Sequence, residues 1–499
     1  MKKILILGGG TSGWMAAACF AKVLRPLGID VVLVESTEIG TVGVGEATIP
    51  SILSFIQLLG IDEREFIQAT QASFKLGIHF VDWRNLGEAY WHQFGTVGAN
   101  IDGVEFYQHW LKSQRRGNAA AFTDYAPAVV MAQKNKFSRV GDDPRHTLHG
   151  AKYALHFDAT LVAAYLRRYA EERGVVRIDA KVESVILRDG GNVKSIILND
   201  GCEIDADFFI DCSGFKGVII EKALQTGYED WSAYLPCDSA VVAQTTNVGA
   251  PAPYTQSTAL TSGWQWRIPL QHRTGNGYVF CSKYSDRDTA KELFCRNLQG
   301  SLITEPRFLS FITGKRKKLW NKNCVAVGLA SGFLEPLEST SIHLAMKAVL
   351  KFIEMLPAGN STQATQDEYN RVMDAEYLSI RDFIILHYCT TQRRDTDFWK
   401  YCAAMAIPDT LQNKLELFRA QGRLYRDEFD LFTRNSWYAV LEGMGVRPEA
   451  HDPLVDLSHV DEVANMMNRA LRLMEQAADG LPDHQQFMME NCRAPDPSN

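Results

Sequence analysis

Ten residues near the start, Ile4-Leu-Ile-Leu-Gly8-Gly9-Gly10-Thr11-Ser12-Gly13, carry an apolar run directly into G-x-G-x-x-G. The helical run Trp14–Val23 follows, and then a second apolar segment that ends at Glu35. This order predicts a β-α-β unit. Its glycines permit a tight turn and let backbone N–H groups approach a pyrophosphate. The helix N-terminus beyond them favours that negative charge. Glu35 falls about 20 residues on, where a carboxylate accepts hydrogen bonds from ribose hydroxyls. A purely structural glycine turn is the competing reading. Strand, helix, second strand and acid in sequence favour dinucleotide binding on an α/β, Rossmann-type fold.

FAD and NAD share this fingerprint, and two later segments favour FAD. Asp211-Cys-Ser-Gly214 closes an apolar strand, much as the second FAD-contacting turn does in flavin hydroxylases. Val325-Ala-Val-Gly328-Leu329-Ala-Ser-Gly332 sits where those enzymes carry Gly-Asp, with Leu329 in the Asp position. That departure weighs against a plain hydroxylase. No second fingerprint that would hold NADPH is present.

The chain has 499 residues, 46% hydrophobic and 22% charged, with a formal net charge of −7. A mildly acidic balance argues against nucleic acid or an anionic membrane as the main partner. The ten cysteines contain no C-x-x-C pair and no zinc spacing, which reads as reduced thiols in the cytoplasm and no metal site. The apolar start is too short for a signal peptide, and no run approaches the roughly 18 apolar residues of a membrane helix. Apolar runs at Ile4–Leu7, Val31–Glu35, Val182–Leu187, Ser195–Leu198 and Phe208–Asp211 alternate with glycine turns, as in an α/β domain. Glu183–Leu187, Asn192–Leu198 and Glu203–Ile210 read as a β-meander. From about Ser341 the pattern turns helical, with amphipathic runs at Glu368–Ile385, Thr410–Ala420 and Asp461–Ala478. We therefore expect an α/β module over residues 1–350 and a mainly helical part over 351–499.

Gly263-Trp264-Gln265-Trp266-Arg267-Ile268-Pro269 contains W-x-W-x-I-P. Tryptophans at i and i+2 of a strand point to the same face, and alone they would read as a paired aromatic core strand. Three other segments accompany them: Gly43-Val-Gly-Glu-Ala47-Thr-Ile-Pro50, Ser73-Phe-Lys75-Leu-Gly77 and Glu335-Pro-Leu-Glu338-Ser-Thr340-Ser341-Ile342. In this order, from residue 1 to about 345, the chain resembles the flavin-dependent halogenases of the tryptophan-halogenase type.

The resemblance implies an enzyme that uses reduced FAD, O2 and chloride or bromide to make hypohalous acid for an electron-rich aromatic. It implies that Gly8, Gly9, Gly10, Thr11, Ser12, Gly13, Glu35, Ala47, Val182, Leu329 and Ile342 line FAD. The Gly43–Pro50 segment would cover the flavin. Lys75 would hold and polarise the hypohalous acid or form a haloamine. Glu338 would position the electrophile and take the ring proton. Thr340 and Ser341 would bind halide through backbone N–H groups, although the family usually has glycine at Ser341. Trp264 and Trp266 would line a passage that keeps the substrate from the flavin. Trp91-His92-Gln-Phe94-Gly95 resembles the segment that supplies a His and a stacking Phe to the substrate pocket, and Phe432–Tyr438 is the candidate for its other wall. The clamp for the amino and carboxylate groups of tryptophan is not recognisable, so indole or an indole derivative is favoured over free tryptophan. A separate NADH-dependent flavin reductase is the expected partner, and a homodimer the family-level expectation. A single-component FAD hydroxylase and a non-enzymatic flavin carrier are the alternatives.

Overall fold

Two runs, KILIL at Lys3–Leu7 and DVVLVE at Asp30–Glu35, are so continuously apolar that only a sheet covered on both faces can accommodate them. In the computed structural model they are adjacent parallel strands, with Leu5 opposite Val32 and Leu7 opposite Val34. The structure describes residues 1–39, 45–141, 143–357, 362–426 and 428–495. It divides into two units, each assembled from three chain segments: 1–71, 157–238 and 310–378 in the first, and 72–156, 239–309 and 379–499 in the second.

The first unit is built on a six-stranded sheet in the order Trp320–Asn321, Cys324–Ala326, Phe208–Asp211, Lys3–Leu7, Asp30–Glu35, Val176–Asp179. All neighbours are parallel except the first pair. The helix Thr11–Val23 follows the first strand and buries Gly13 to Ala21. The helix Ala159–Glu171 starts at an Asp158 cap that accepts from the N–H groups of Thr160 and Leu161.

The meander differs from its sequence reading at one end. Val182–Leu187, Val193–Leu198 and Glu203–Asp205 form an antiparallel sheet. The remainder of the expected third strand belongs instead to the parallel sheet, within the strand Phe208–Asp211. Asp207 makes the break by accepting hydrogen bonds from the backbone N–H groups of Lys2 and Lys3. Beyond it all four residues of Phe208–Asp211 are buried, as a central parallel strand requires.

The second unit holds a seven-stranded sheet in the order Arg307–Ser310, Ser239–Thr245, Thr274–Phe280, Gly263–Pro269, Thr255–Ala259, Gly77–Val81, Ala89–Gln93. A shorter antiparallel pair joins Ser73–Lys75 to the strand Ala154–Asp158. Helices include Phe106–Arg115, Asp397–Ala404, Arg434–Gly443 and His484–Asn491. The three amphipathic runs appear as helices Gln363–Cys389, Asp409–Gln421 and Val460–Asp479, so the C-terminal region is helical. Among the described residues no helix is long and apolar enough to cross a membrane, and no cluster of His, Cys, Asp or Glu could hold a metal ion.

Candidate active site

In the first unit the glycine turn is closed by its neighbours. A Cβ built on Gly9 would fall 1.4 Å from Glu35 Oε2, and one on Gly13 would fall 1.9 Å from the Gly8 carbonyl oxygen. The carboxylate of Glu35 therefore lies against the turn, where Arg177 Nε donates to its Oε1 at 2.5 Å. Gly10, by contrast, has open space where a Cβ would be. It caps the helix Thr11–Val23 without any side-chain hydrogen bond. The first N–H groups of a helix lack intrahelical acceptors, so this open, uncapped end fits a pyrophosphate.

Two further turns reach the same helix end. The Cys212 carbonyl oxygen stands 2.3 Å from where Gly8 would carry a Cβ, and Ser12 Oγ 2.3 Å from where Gly328 would. Asp211 is fully buried and accepts from Ser213 N and Oγ, Ile219 N and Ile220 N, which shapes its turn. Leu329, in the turn Gly328–Ala330, is half-buried. Ala47 lies buried in the strand Gly45–Ala47, while Gly43 and Val44 of that segment lie outside the described residues. Beside Ala47, burial pushes the Glu46 carboxyl up to about 7. Val182 packs half-buried against the hydrophobic cluster under the parallel sheet, an ordinary core contact.

The Glu335–Ile342 segment makes a turn into a helix. Pro336–Glu338 is one 3-10 turn, and Ser339 has φ 60°, a left-handed conformation stabilised by its N–H to the Pro336 carbonyl. That turn buries Glu338, which is 1% exposed. Ser341 opens the right-handed helix Ser341–Glu354, so serine costs the backbone nothing here; the left-handed residue is Ser339. Thr340 caps the helix without a side-chain bond, and its buried Oγ1 has no hydrogen-bond partner among the described residues. An orphaned hydroxyl beside unpaired helix N–H groups suits a small anion. Ile342 is buried in the first turn. Next to it, His343 links Ser51 Oγ, 3.0 Å from Nδ1, to Glu376 Oε1, 2.8 Å from Nε2.

In the second unit Lys75 is fully buried, with Nζ 5.0 Å from the centroid of the Phe94 ring. Phe94 begins a chain of rings. His92 lies 6.5 Å away, and Phe383 and Phe432 stand 5.3 and 5.8 Å from His92. Phe383 and Phe432 stack at 3.8 Å, and Trp437 meets Phe383 edge-on at 5.0 Å. The buried Trp437 Nε1 has no hydrogen-bond partner among the described residues. Lys414, whose Nζ lies 4.4 Å from the centroid of the Trp437 ring, is paired with Asp430 at 3.0 Å. Trp264 and Trp266 are both buried, with ring centroids 5.8 Å apart. Trp264 faces Trp83, and Trp266 lies across Gly277, whose Cβ would fall 2.1 Å from its ring.

The family model for tryptophan halogenases matches residues 3–460. The chain belongs to the tryptophan halogenase family. It is 34% identical to the tryptophan 7-halogenase RebH of Lentzea aerocolonigenes, over 98% of this chain and 96% of that protein. Two similar solved structures are flavin-dependent halogenases. One, from Xanthomonas campestris, shares 45% identity with a TM-score of 0.96 and covers 99% of each chain. The other, BrvH from Brevundimonas sp. BAL3, shares 42% identity with a TM-score of 0.95 over 98% of this chain and 99% of that one. The protein is thus an enzyme, a flavin-dependent halogenase that uses FADH2, O2 and halide. Its open glycine turn and orphaned Thr340 hydroxyl fit the flavin and the halide.

Sequence reasoning missed several residues of this halogenase. Arg177, which orients Glu35, and Phe383, which backs His92, carried no motif. His156 and His484, on either side of the Ser73–Lys75 strand, stand alone in the sequence. Only a three-dimensional pairing exposes them.

Proposed function

We propose that this halogenase acts on indole or a neutral indole derivative, with Lys75 as the residue that delivers the halogen. One observation carries the reading: a fully buried lysine whose ammonium lies 5.0 Å from the Phe94 ring, the first of a chain of aromatic rings that continues through His92, Phe383, Phe432 and Trp437. Flat rings suit an indole face. The relatives act, by name, on tryptophan. Lys414, the cation against the Trp437 ring, is matched by Asp430, which leaves it no ready partner for a carboxylate on the substrate. A neutral indole needs none.

Reduced flavin, when bound, supplies the electron pair that converts O2 and halide to hypohalous acid and water. Lys75 Nζ donates to the oxygen of that acid and stabilises the negative charge that develops there as the halogen leaves for carbon. Glu338 takes the ring proton as general base. Thr340 and Ser341 hold halide, and Gly8–Gly13, Glu35, Ala47, Leu329 and Ile342 hold FAD. Trp264 and Trp266 keep the aromatic substrate away from the flavin by their bulk. Residues 1–350 carry the flavin and halogenation chemistry, while 351–499 complete the pocket through Phe383, Phe432 and Trp437. The reduced flavin comes from a separate reductase, since no second dinucleotide fingerprint exists in the chain. We place the enzyme in the cytoplasm, where its ten free cysteines would stay reduced.

The test compares kcat/KM for indole and for L-tryptophan with bromide, O2, FAD, NADH and added flavin reductase. Indole should exceed tryptophan by at least about tenfold, the cost of desolvating an unmatched charge. Equal or higher efficiency with tryptophan would overturn the substrate assignment.

A further inference from the structure

The strand Ser73–Lys75 pairs antiparallel with the strand Ala154–Asp158, Ser73 opposite His156 and Lys75 opposite Ala154. Side chains alternate along a strand and opposite residues share a face. Ser73, Lys75 and His156 therefore emerge together. Ser73 Oγ donates to the carbonyl of Pro269, the last residue of the tryptophan strand, at 2.5 Å. A carbonyl only accepts, and a hydroxyl has one proton to give. The contact of 3.1 Å between Ser73 Oγ and His156 Nδ1 must then use a proton on the ring nitrogen. His156 Nε2, 2.9 Å from Thr255 Oγ1, is left with the lone pair and accepts the threonine proton. The chain of donors runs one way, from Thr255 through His156 and Ser73 to Pro269.

Every member is buried: His156 and Ser73 are 0% exposed and Thr255 4%. Burial, and then the neighbouring Lys75 and His484, hold the His156 pKa well below that of an ordinary histidine. His484 is fixed by the same logic. Its Nε2 accepts from the Phe74 N–H at 3.2 Å, so Nδ1, 2.7 Å from the Pro251 carbonyl, carries the proton. Two neutral imidazoles thus grip the short strand, one at Ser73 and one at Phe74.

We propose that His156 is a positioning residue for Lys75: its neutral Nδ1–H form ties the lysine strand to the end of the tryptophan strand and so fixes Nζ over Phe94. This rests on the delivery role of Lys75 given above. A protonated His156 would turn Nε2 into a donor and reverse its bond with Thr255. A side chain with no donor at the Nδ1 position would leave Ser73 held only by its own bond to the Pro269 carbonyl and free to turn about it.

Two measurements on the full-length enzyme test this. In protein labelled with 15N-histidine, the His156 resonances, assigned by their loss in His156→Asn, should show one protonated and one lone-pair nitrogen from about pH 5.5 to 8. Two protonated nitrogens in that range would overturn the proposal. In turnover assays His156→Leu should lose at least about 30-fold in kcat for indole bromination, the scale expected of a displaced reacting group. Its KM for indole and its FAD affinity should stay within about threefold. His156→Asn keeps an N–H donor near the Nδ1 position and should recover most of the lost kcat. If the two variants lose activity equally and in step with their melting temperatures, His156 is only structural. Should His156→Leu fail to fold, the nitrogen resonances and His156→Asn still decide. A Lys75→Ala enzyme that brominates normally would sink the delivery role itself, and it would do so whatever the His156 resonances show.

Discussion

Lys75 belongs to a residue type that is among the least often fully buried. It is 0% exposed beside the Phe94 ring, and the proposed halogen delivery rests on that placement. Glu35 is its counterpart at the nucleotide turn, placed over Gly9 and held by Arg177. Glu35→Ala should weaken FAD binding by about 1.5–3 kcal/mol through loss of hydrogen bonds to a charged acceptor. A flavin titration with unchanged affinity would contradict this. Both residues were legible in the sequence because each sits in a local motif, Phe-Lys-Leu-Gly or a strand end after G-x-G-x-x-G. Arg177, His156 and His484 were not. Their partners lie 142, 83 and 410 residues away, and nothing local marks them.

Elements explain why those residues stay where they are. The W-x-W strand is flat against its neighbour because Gly277, opposite Trp266, leaves room for the indole. Gly277→Ala would place a methyl group 2.1 Å from that ring. Overpacking of this kind costs about 1–3 kcal/mol. The variant should melt at a lower temperature and show altered tryptophan fluorescence. An unchanged melting curve would mean that the ring moves aside freely. The helix Ser341–Glu354 gives the opposite lesson. The family usually has glycine where Ser341 stands, yet the left-handed residue of that turn is Ser339. Three helices of the C-terminal region were legible from their 3.6-residue period, whereas the short helices Asp397–Ala404, Arg434–Gly443 and His484–Asn491 were not. The meander's last strand was not read correctly, because a β pattern shows a strand without saying which sheet it will join.

At the scale of the whole molecule, the buried histidines link stability to acid. His484 takes up a second ring proton only at about 4, pulled down by burial, whereas in the unfolded chain it titrates near the ordinary 6.5. Its folded pKa is depressed, so the stability it confers is complete above about 6.5 and is lost as pH falls towards 4. The difference corresponds to about 3 kcal/mol. Denaturant unfolding should show the wild-type enzyme losing about that much more than His484→Gln between those two pH values. Parallel pH profiles for the two proteins would rule this out. The α/β class and the order of motifs were legible in the sequence. The assembly of each unit from three separated segments was not, since no local pattern records which distant segments share a core.

The most direct measurement is mass spectrometry of indole incubated with the enzyme, bromide, O2, FAD, NADH, a flavin reductase and catalase. The wild-type enzyme should give the bromine isotope doublet. Lys75→Ala should bind FAD normally and oxidise the reduced flavin, yet give no doublet. A doublet of wild-type intensity from Lys75→Ala would contradict the assignment of halogen delivery to this lysine.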